Sequence, residues 1–233
     1  MIRNYLFSII FFVGIIIISI LFLPTFFFPR KIVLFGGKLM GYWTGICLKY
    51  VLSVNIIVKG KDNIIRNQKF FIASSHQSMF ETFYLQTIFK SPVFILKKEL
   101  LQVPIFGWYL KKIGSISINR DKVTKDNLGF FKNISDIVNN SDRPLIIFPQ
   151  GTRVSPNDRT PFKKGASRIY QELNISCQPI AINSGQVWPK IGSKNSHKTI
   201  TISILPPISS GLVKDVFLST LEGKIYTELD ILS

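Results

Sequence analysis

The feature that most constrains this chain is a long uncharged stretch near its N-terminus. No charged side chain occurs from residue 4 to residue 29, and the run at residues 5–23 is almost entirely apolar. As a helix this run would reach about 28 Å at ~1.5 Å per residue, close to the ~30 Å hydrocarbon core of a bilayer. The alternative is a cleaved signal peptide, but its short apolar core and small-residue cleavage site are not visible. The stretch therefore predicts a membrane helix.

A second apolar stretch, at residues 32–52, carries lysines and aromatic residues that suit an interfacial helix better than a spanning one. Arg30 and Lys31 precede it, and no acidic residue appears before Asp62. The positive-inside rule then places the remainder of the chain in the cytoplasm. The pattern leaves open whether the first helix spans the bilayer or dips in and returns.

From about Val54 onwards, short apolar runs alternate with amphipathic segments, which favours an α/β sheet core. The chain is therefore expected to divide into N-terminal membrane-anchoring helices (residues 1–53) and an α/β domain (residues 54–233). Strands are predicted at 54–60, 69–74, 93–96, 115–119, 144–148, 179–182 and 199–205, and helices at 82–89, 106–112, 123–139, 166–173 and 213–229.

The charge balance limits the partners of this chain. It has 29 Lys and Arg against 13 Asp and Glu, for a net charge of +16, yet charged residues make up only 18%, where ~25% is usual. The excess thus reflects a shortage of acids rather than a dense basic tail, which argues against nucleic acid and favours anionic lipid or a phosphorylated substrate. Two cysteines and two histidines are too few for a disulfide framework or a His-rich metal site.

Two polar segments that follow predicted strands could carry chemistry, and the first contains His76 and Glu81. If His76 lies in a loop and Glu81 in the first turn of the next helix, the carboxylate can reach the imidazole. A carboxylate there fixes the tautomer and stabilises imidazolium, which suits a general base. The alternative is a capping loop with a satisfied histidine.

The second segment, residues 148–153, has the sequence Phe-Pro-Gln-Gly-Thr-Arg. Gly151 allows close backbone approach, and Arg153 offers a bidentate fork for phosphate. The alternative is a tight turn with a surface arginine. The sequence contains no G-x-S-x-G elbow, P-loop or dinucleotide-binding motif, so α/β-hydrolase, nucleoside triphosphate-binding and dinucleotide-binding functions lack support.

Taken in order, these segments resemble the motifs of the glycerolipid acyltransferase family, in particular its bacterial members that acylate 1-acylglycerol 3-phosphate. The pair His76 and Glu81 matches the first motif, His-x-x-x-x-Asp, and residues 114–120 match a Gly-x-Ile-x-Ile-x-Arg motif. Residues 148–153 match Phe-Pro-Glu-Gly-Thr-Arg, and Pro179 matches the proline of a fourth, apolar strand motif. Residues 94–107 also look like the family's segment between the first two motifs, and the resemblance covers roughly residues 55–230.

The resemblance implies a mixed sheet flanked by helices and an acyl transfer from acyl-CoA or acyl carrier protein to the free hydroxyl of lysophosphatidic acid, giving phosphatidic acid. It implies that His76 acts as the general base and is held by Glu81. The implied substrate-binding residues are Lys97, Lys98, Arg120, Gln150, Gly151, Thr152 and Arg153. No metal or other cofactor is expected. The expected location is the bacterial inner membrane, with the catalytic domain on the cytoplasmic face and membrane lipids as partners.

Two positions depart from the family motifs. Glu81 replaces an aspartate, which keeps the charge but adds one methylene, and Gln150 replaces a glutamate, which removes a charge but keeps an acceptor. An ionic role at residue 150 is therefore in doubt, whereas a hydrogen bond to the glycerol of the acceptor survives. Two other functions stay open: acylation of a different lysolipid, and a non-catalytic protein that binds anionic membranes.

Overall fold

The computed structural model describes residues 2–118 and 126–232. These residues form a seven-stranded mixed sheet with helices on both faces, as predicted. The strands are β1 (Asn55–Lys59), β2 (Phe70–Ser74), β3 (Val93–Lys97), β4 (Ile116–Ile118), β5 (Leu145–Ile147), β6 (Ser176–Ile182) and β7 (Thr199–Ile204). The helices are α1 (Ile2–Leu21), α2 (Arg30–Leu52), α3 (Phe80–Ile88), α4 (Phe106–Lys112), α5 (Asp126–Asn139), α6 (Gly165–Leu173) and α7 (Lys214–Ile231).

The strands lie in the order β1-β7-β6-β2-β5-β3-β4. Only β6 and β7 run antiparallel among the pairs of this sheet, as far as the described residues go. The central strands β6, β2 and β5 are neighbours and run in the same direction. The chain therefore leaves all three of them at one edge of the sheet, where ligand sites of α/β folds form.

Side chains that alternate along the strands give the sheet two apolar faces. On β2, Phe71 and Ala73 pack on the face covered by α5, α6 and α7, while Ile72 packs on the face covered by α1, α2 and α3. This arrangement follows from the period of two in a strand, which sends successive side chains to opposite faces. Helices on both faces are what a mostly parallel sheet requires.

The N-terminal run forms helix α1, the one helix in the described part of the chain that is long and apolar enough to cross a membrane. One stripe of α1 faces the protein, where Phe7 and Phe11 are fully buried and both pack edge-on against Trp188. The opposite side is exposed and apolar. Its exposed side chains include Tyr5, Ile9, Phe12, Ile16 and Ile20.

The start of α1 is tied to the loop between β6 and β7. Asn4 and Lys194 exchange two side chain–backbone hydrogen bonds of 3.0 and 2.8 Å, and Nη1 of Arg3 lies 2.7 Å from Nε2 of the exposed His197. The N-terminal helices therefore share their core with the α/β domain. The predicted boundary at residue 53 stays a prediction.

The predicted strands and helices are present in the described residues, with their ends shifted by a few positions. The largest change is in β6, which begins at Ser176 rather than at Pro179, because Cys177 pairs both with β2 and with Ile208. Asn119, at the end of one predicted strand, and the first turn of the helix predicted at 123–139 lie outside the described residues.

Candidate active site

The motifs that the sequence predicts in separate stretches converge at the carboxyl edge of the sheet. His76 follows β2, residues 148–153 follow β5, and a short turn at Ser184–Gln186 follows β6. Because these three strands are adjacent and parallel, the segments after them meet.

The imidazole of His76 lies beside the carboxylate of Glu81, with 3.3 Å between Nδ1 and Oε2. Helix α3 begins at Phe80, so His76 stays in the loop and Glu81 falls in the first helical turn. This is the arrangement that the sequence analysis requires for the two side chains to meet. The imidazole also stacks on the ring of Phe148, with 4.0 Å between the centroids. Since Nδ1 faces the carboxylate, Nε2 is the nitrogen that can take a proton from a substrate.

The carboxylate of Glu81 is fully buried and held from several sides. Its Oε1 accepts hydrogen bonds of 3.2 Å from the backbone N–H groups of Gln77 and Ser78, and another from the hydroxyl of Ser184. Its Oε2 accepts a 3.0 Å bond from the N–H of Ser78 and faces His76. These contacts compensate the burial of the carboxylate and fix its orientation against the imidazole.

The segment after β5 supports the backbone of His76. Gln150 Oε1 accepts a 2.7 Å hydrogen bond from the N–H of His76, and the N–H of Val154 donates to the His76 carbonyl at 2.9 Å. Gln150 is fully buried, and its Nε2 donates to the Tyr226 hydroxyl at 3.4 Å. Both ends of the Gln150 amide are thus bound within the protein. Its hydrogen bond to the acceptor stays a prediction, and the geometry gives it the role of a support for His76.

Gly151 allows the chain to turn sharply after β5. Its φ is +75°, in the left-handed region that favours glycine, and a Cβ at this position would lie 3.3 Å from Cγ of Lys163. The N–H of Gly151 donates to the Phe148 carbonyl at 2.9 Å, which closes the turn. After this turn, Thr152 and Arg153 reach the cavity described next. Gly151 does not line that cavity, so its predicted substrate contact stays a prediction.

A cavity of about 410 Å³ begins beside His76, and its polar end is basic. Among the predicted residues, Lys97, Thr152 and Arg153 line it together with His76. Within residues 2–118 and 126–232, no hydrogen bond or ion pair engages the Arg153 guanidinium. Arg153 can therefore offer its whole fork to an anion.

Two further predicted cations lie elsewhere. Lys98 is exposed in the short helical turn after β3 and does not line the cavity. Arg120 lies outside the described residues. Lys97 forms an ion pair with Glu99, with 3.3 Å between Nζ and Oε1, and Glu99 also lines the cavity. The negative charge of Glu99 partly offsets the positive end of the cavity at this side.

The remainder of the cavity is apolar and passes between α2, α3, β3 and α4. Its walls carry aromatic and aliphatic side chains, including Phe22, Val33, Leu34, Met40, Phe83, Phe94, Phe106, Leu110 and Ile113. The cavity thus joins a basic, histidine-bearing end to a hydrocarbon-like interior. An amphiphile with an anionic head and an alkyl chain fits this combination.

A family model described as Acyltransferase matches residues 55–183, a range that contains His76, Glu81, residues 148–153 and Pro179. The chain belongs to the acyltransferase family. It is 34% identical over 158 residues to the 1-acyl-sn-glycerol-3-phosphate acyltransferase of Pseudomonas aeruginosa. The aligned region covers 68% of this chain and 61% of that protein. It is 33% identical over 193 residues to the protein of the same name from Saccharomyces cerevisiae, covering 78% of this chain and 63% of the relative.

The match therefore spans somewhat less than two thirds of the length of these two relatives. The crystal structure of the 1-acyl-sn-glycerophosphate acyltransferase from Thermotoga maritima superposes with a TM-score of 0.79 over 100% of this chain and 98% of that one, at 20% identity. At that identity, the likeness establishes an acyltransferase fold.

Two polar residues of this acyltransferase site were not predicted from the sequence. Ser184 donates to Glu81, and Lys190 lines the basic end of the cavity, where its Nζ lies 3.4 Å from the Arg153 carbonyl. Both come after β6, a strand whose sequence is apolar and carries no chemistry of its own. The sequence does show two polar residues, Asn183 and Ser184, directly after a buried strand. They indicate a part of the site only once β6 is known to lie next to β2.

Proposed function

We propose that this acyltransferase moves an acyl chain from an acyl thioester to the free hydroxyl of lysophosphatidic acid, giving phosphatidic acid. The observation that carries the proposal is a single cavity with three chemical parts. It has a histidine–carboxylate pair at His76, cationic groups at Arg153 and Lys190, and an apolar interior. The relatives in Pseudomonas and yeast bear the name of this activity.

In the proposed reaction, His76 Nε2 takes the proton of the acceptor hydroxyl as the oxygen attacks the thioester carbonyl. The negative carboxylate of Glu81 stabilises the imidazolium that forms and keeps the ring in the Nδ1–H tautomer. The tetrahedral intermediate then breaks its carbon–sulfur bond, and the imidazolium gives its proton to the leaving thiolate. General base help of this kind is worth about 10²–10⁴-fold.

The basic end of the cavity would hold the phosphomonoester. Arg153 offers two parallel N–H groups, and Lys97 and Lys190 add positive charge beside it. Arg120 and Lys98 remain candidates that the family resemblance implies. The thioester supplies an already activated acyl group, so the proposed cosubstrate is acyl-CoA or acyl carrier protein, without a further cofactor.

We further infer that the exposed apolar sides of α1 and α2 face lipid. The buried stripe of α1 stays against the α/β domain, which leaves the opposite side for the membrane. The absence of acids before Asp62 suits an anionic leaflet. The cytoplasmic face of a bacterial inner membrane is the location that this charge pattern favours.

A donor-by-acceptor activity matrix tests the proposal. Purified protein in vesicles is given acyl-CoA or acyl carrier protein thioesters with lysophosphatidic acid, another lysophospholipid or a lyso-aminolipid, and thiol release and lipid product are measured. We expect the highest kcat/KM with lysophosphatidic acid. A higher value with another lysolipid would reassign the acceptor, and no thiol release with any pair would favour a non-catalytic membrane-binding protein.

A further inference from the structure

The hydroxyl of Ser184 is the only side-chain donor besides His76 that reaches the Glu81 carboxylate among the residues that the structure describes. We propose that Ser184 is a positioning residue, which holds Glu81 so that Oε2 faces Nδ1 of His76. This inference rests on the proposed function, since it assigns Ser184 a part in the same proton transfer. Ser184 would not touch substrate and would act through Glu81.

The two carboxylate oxygens of Glu81 have different partners. Oε1 accepts from Ser184 Oγ and from the N–H groups of Gln77 and Ser78, while Oε2 accepts from Ser78 alone and faces His76. The three donors on Oε1 set the rotation of the carboxylate about its last bond. Removing the Ser184 hydroxyl would loosen that rotation, because the two backbone bonds that remain on Oε1 are each 3.2 Å long, at the long end of the N–H···O range.

Ser184 is itself held in place. It is fully buried, and its carbonyl accepts from the N–H of Trp188 at 2.7 Å, while the N–H of Gly185 donates to Gln77 Oε1 at 3.0 Å. A side chain at Gly185 would come within 3.0 Å of both Gln77 and Pro156. The turn after β6 is thus packed closely against the loop of His76, so the hydroxyl has a fixed position.

The length of Glu81 explains why such a donor is needed. The family motif has an aspartate at this position, whereas the glutamate has one more methylene and therefore one more rotatable bond. The extra reach brings Oε1 to Ser184 in the core, and the extra freedom must be restrained for Oε2 to stay on the imidazole. Glu81 and Ser184 are therefore a matched pair, in which the serine restrains the longer acid.

A double-mutant cycle tests this pairing. We compare the wild type with Ser184→Ala, Glu81→Asp and the double variant, using steady-state kinetics with lysophosphatidic acid and the better thioester donor. Losing a hydrogen bond to a charged group predicts a fall of about 10-fold in kcat for Ser184→Ala, with both KM values changed less than about twofold. In the Glu81→Asp background, whose shorter side chain does not reach Ser184, the same change should cost less than about twofold.

Controls separate positioning from folding. Ser167→Ala deletes another buried hydroxyl, on α6, and should leave kcat unchanged. Ser184→Thr keeps the hydroxyl donor. If its melting temperature equals that of the wild type, its kcat should also be near the wild-type value. Equal losses from Ser184→Ala in both backgrounds, or a change confined to KM, would overturn the pairing.

A readout that does not need activity keeps this inference separate from the proposed function. The chain has only two histidines, His76 and His197, so ¹⁵N-histidine labelling gives two imidazole spectra, and His197→Asn assigns them. We expect His76 in the Nδ1–H tautomer in the wild type and a mixture of tautomers in Ser184→Ala. An unchanged His76 spectrum would overturn the role of Ser184. If no lysolipid is acylated while the spectrum changes, the proposed function fails and the positioning role stands.

Discussion

The two polar ends of the site are built in opposite ways. At the base end, His76 is mostly buried and Glu81 fully so, and both are bound by neighbouring backbone and side-chain groups. At the anion end, Arg153 is only half-buried, Lys190 is exposed, and Lys97 keeps about 46% of its side chain exposed. The base end is therefore organised before substrate arrives, while the anion end is organised by the substrate that it binds.

This difference predicts how substitutions should divide between kcat and KM. A group that is already in place acts on the transition state, so its loss lowers kcat. A group that meets only the phosphate stabilises substrate and transition state alike, so its loss raises KM.

The largest effect is expected for His76→Ala. Removing the general base should lower kcat by about 10²–10⁴-fold, with the KM of lysophosphatidic acid nearly unchanged. Steady-state kinetics measure both values, and circular dichroism checks the fold. The control is His197→Ala, which removes the only other histidine, an exposed one bound to Arg3, and should keep the wild-type kcat. A His76→Ala variant that retains activity would contradict the assignment of the base.

The next effect is expected for Arg153→Ala. Loss of a charge-assisted, bidentate contact should raise the KM of lysophosphatidic acid about 10-fold or more and change kcat less. Lys190→Ala should do the same to a smaller extent, since an exposed ammonium is more strongly hydrated. The KM values are compared with those of Arg168→Ala, which removes an exposed arginine on α6. If the KM for an uncharged monoacylglycerol rises as much as that for lysophosphatidic acid, Arg153 does not bind phosphate.

The sequence predicts the base end better than the anion end, for a physical reason. His76 and Glu81 are close in sequence, and their contact depends only on where helix α3 begins. Lys190 and Ser184 reach the site because β6 pairs with β2, and strand order is not encoded in local periodicity. The burial of Phe7 within α1 is equally hidden, because a uniformly apolar helix does not reveal which side packs on the protein.

The bounds of a strand can be predicted from the sequence where loops flank it directly along the chain, as they do for β7. The start of β6 was not, because its first residues are fixed by Phe71 of β2 and by Ile208. Pro179 is unusual, since proline in a sheet is mostly confined to edge strands, to the first residue of a strand or to bulges. Here it lies within β6, opposite Ala73 of β2.

The smallest effect is expected at Gln150, the residue that joins the two ends. It lies in the loop that carries Arg153, yet its Oε1 binds the N–H of His76 and its Nε2 binds Tyr226 on α7. Gln150→Leu leaves the partly buried backbone N–H of His76 unpaired, which should cost about 1–3 kcal/mol of stability and lower kcat a few-fold through displacement of His76. Gln150→Glu restores the family residue and the acceptor for His76, so kcat should stay near the wild-type value. The introduced carboxylate competes with the Thr160 carbonyl for the Tyr226 hydroxyl. Adding Tyr226→Phe to Gln150→Glu should therefore give a lower melting temperature than Gln150→Glu alone. A KM effect without a kcat effect in Gln150→Leu would place this residue at the anion end instead.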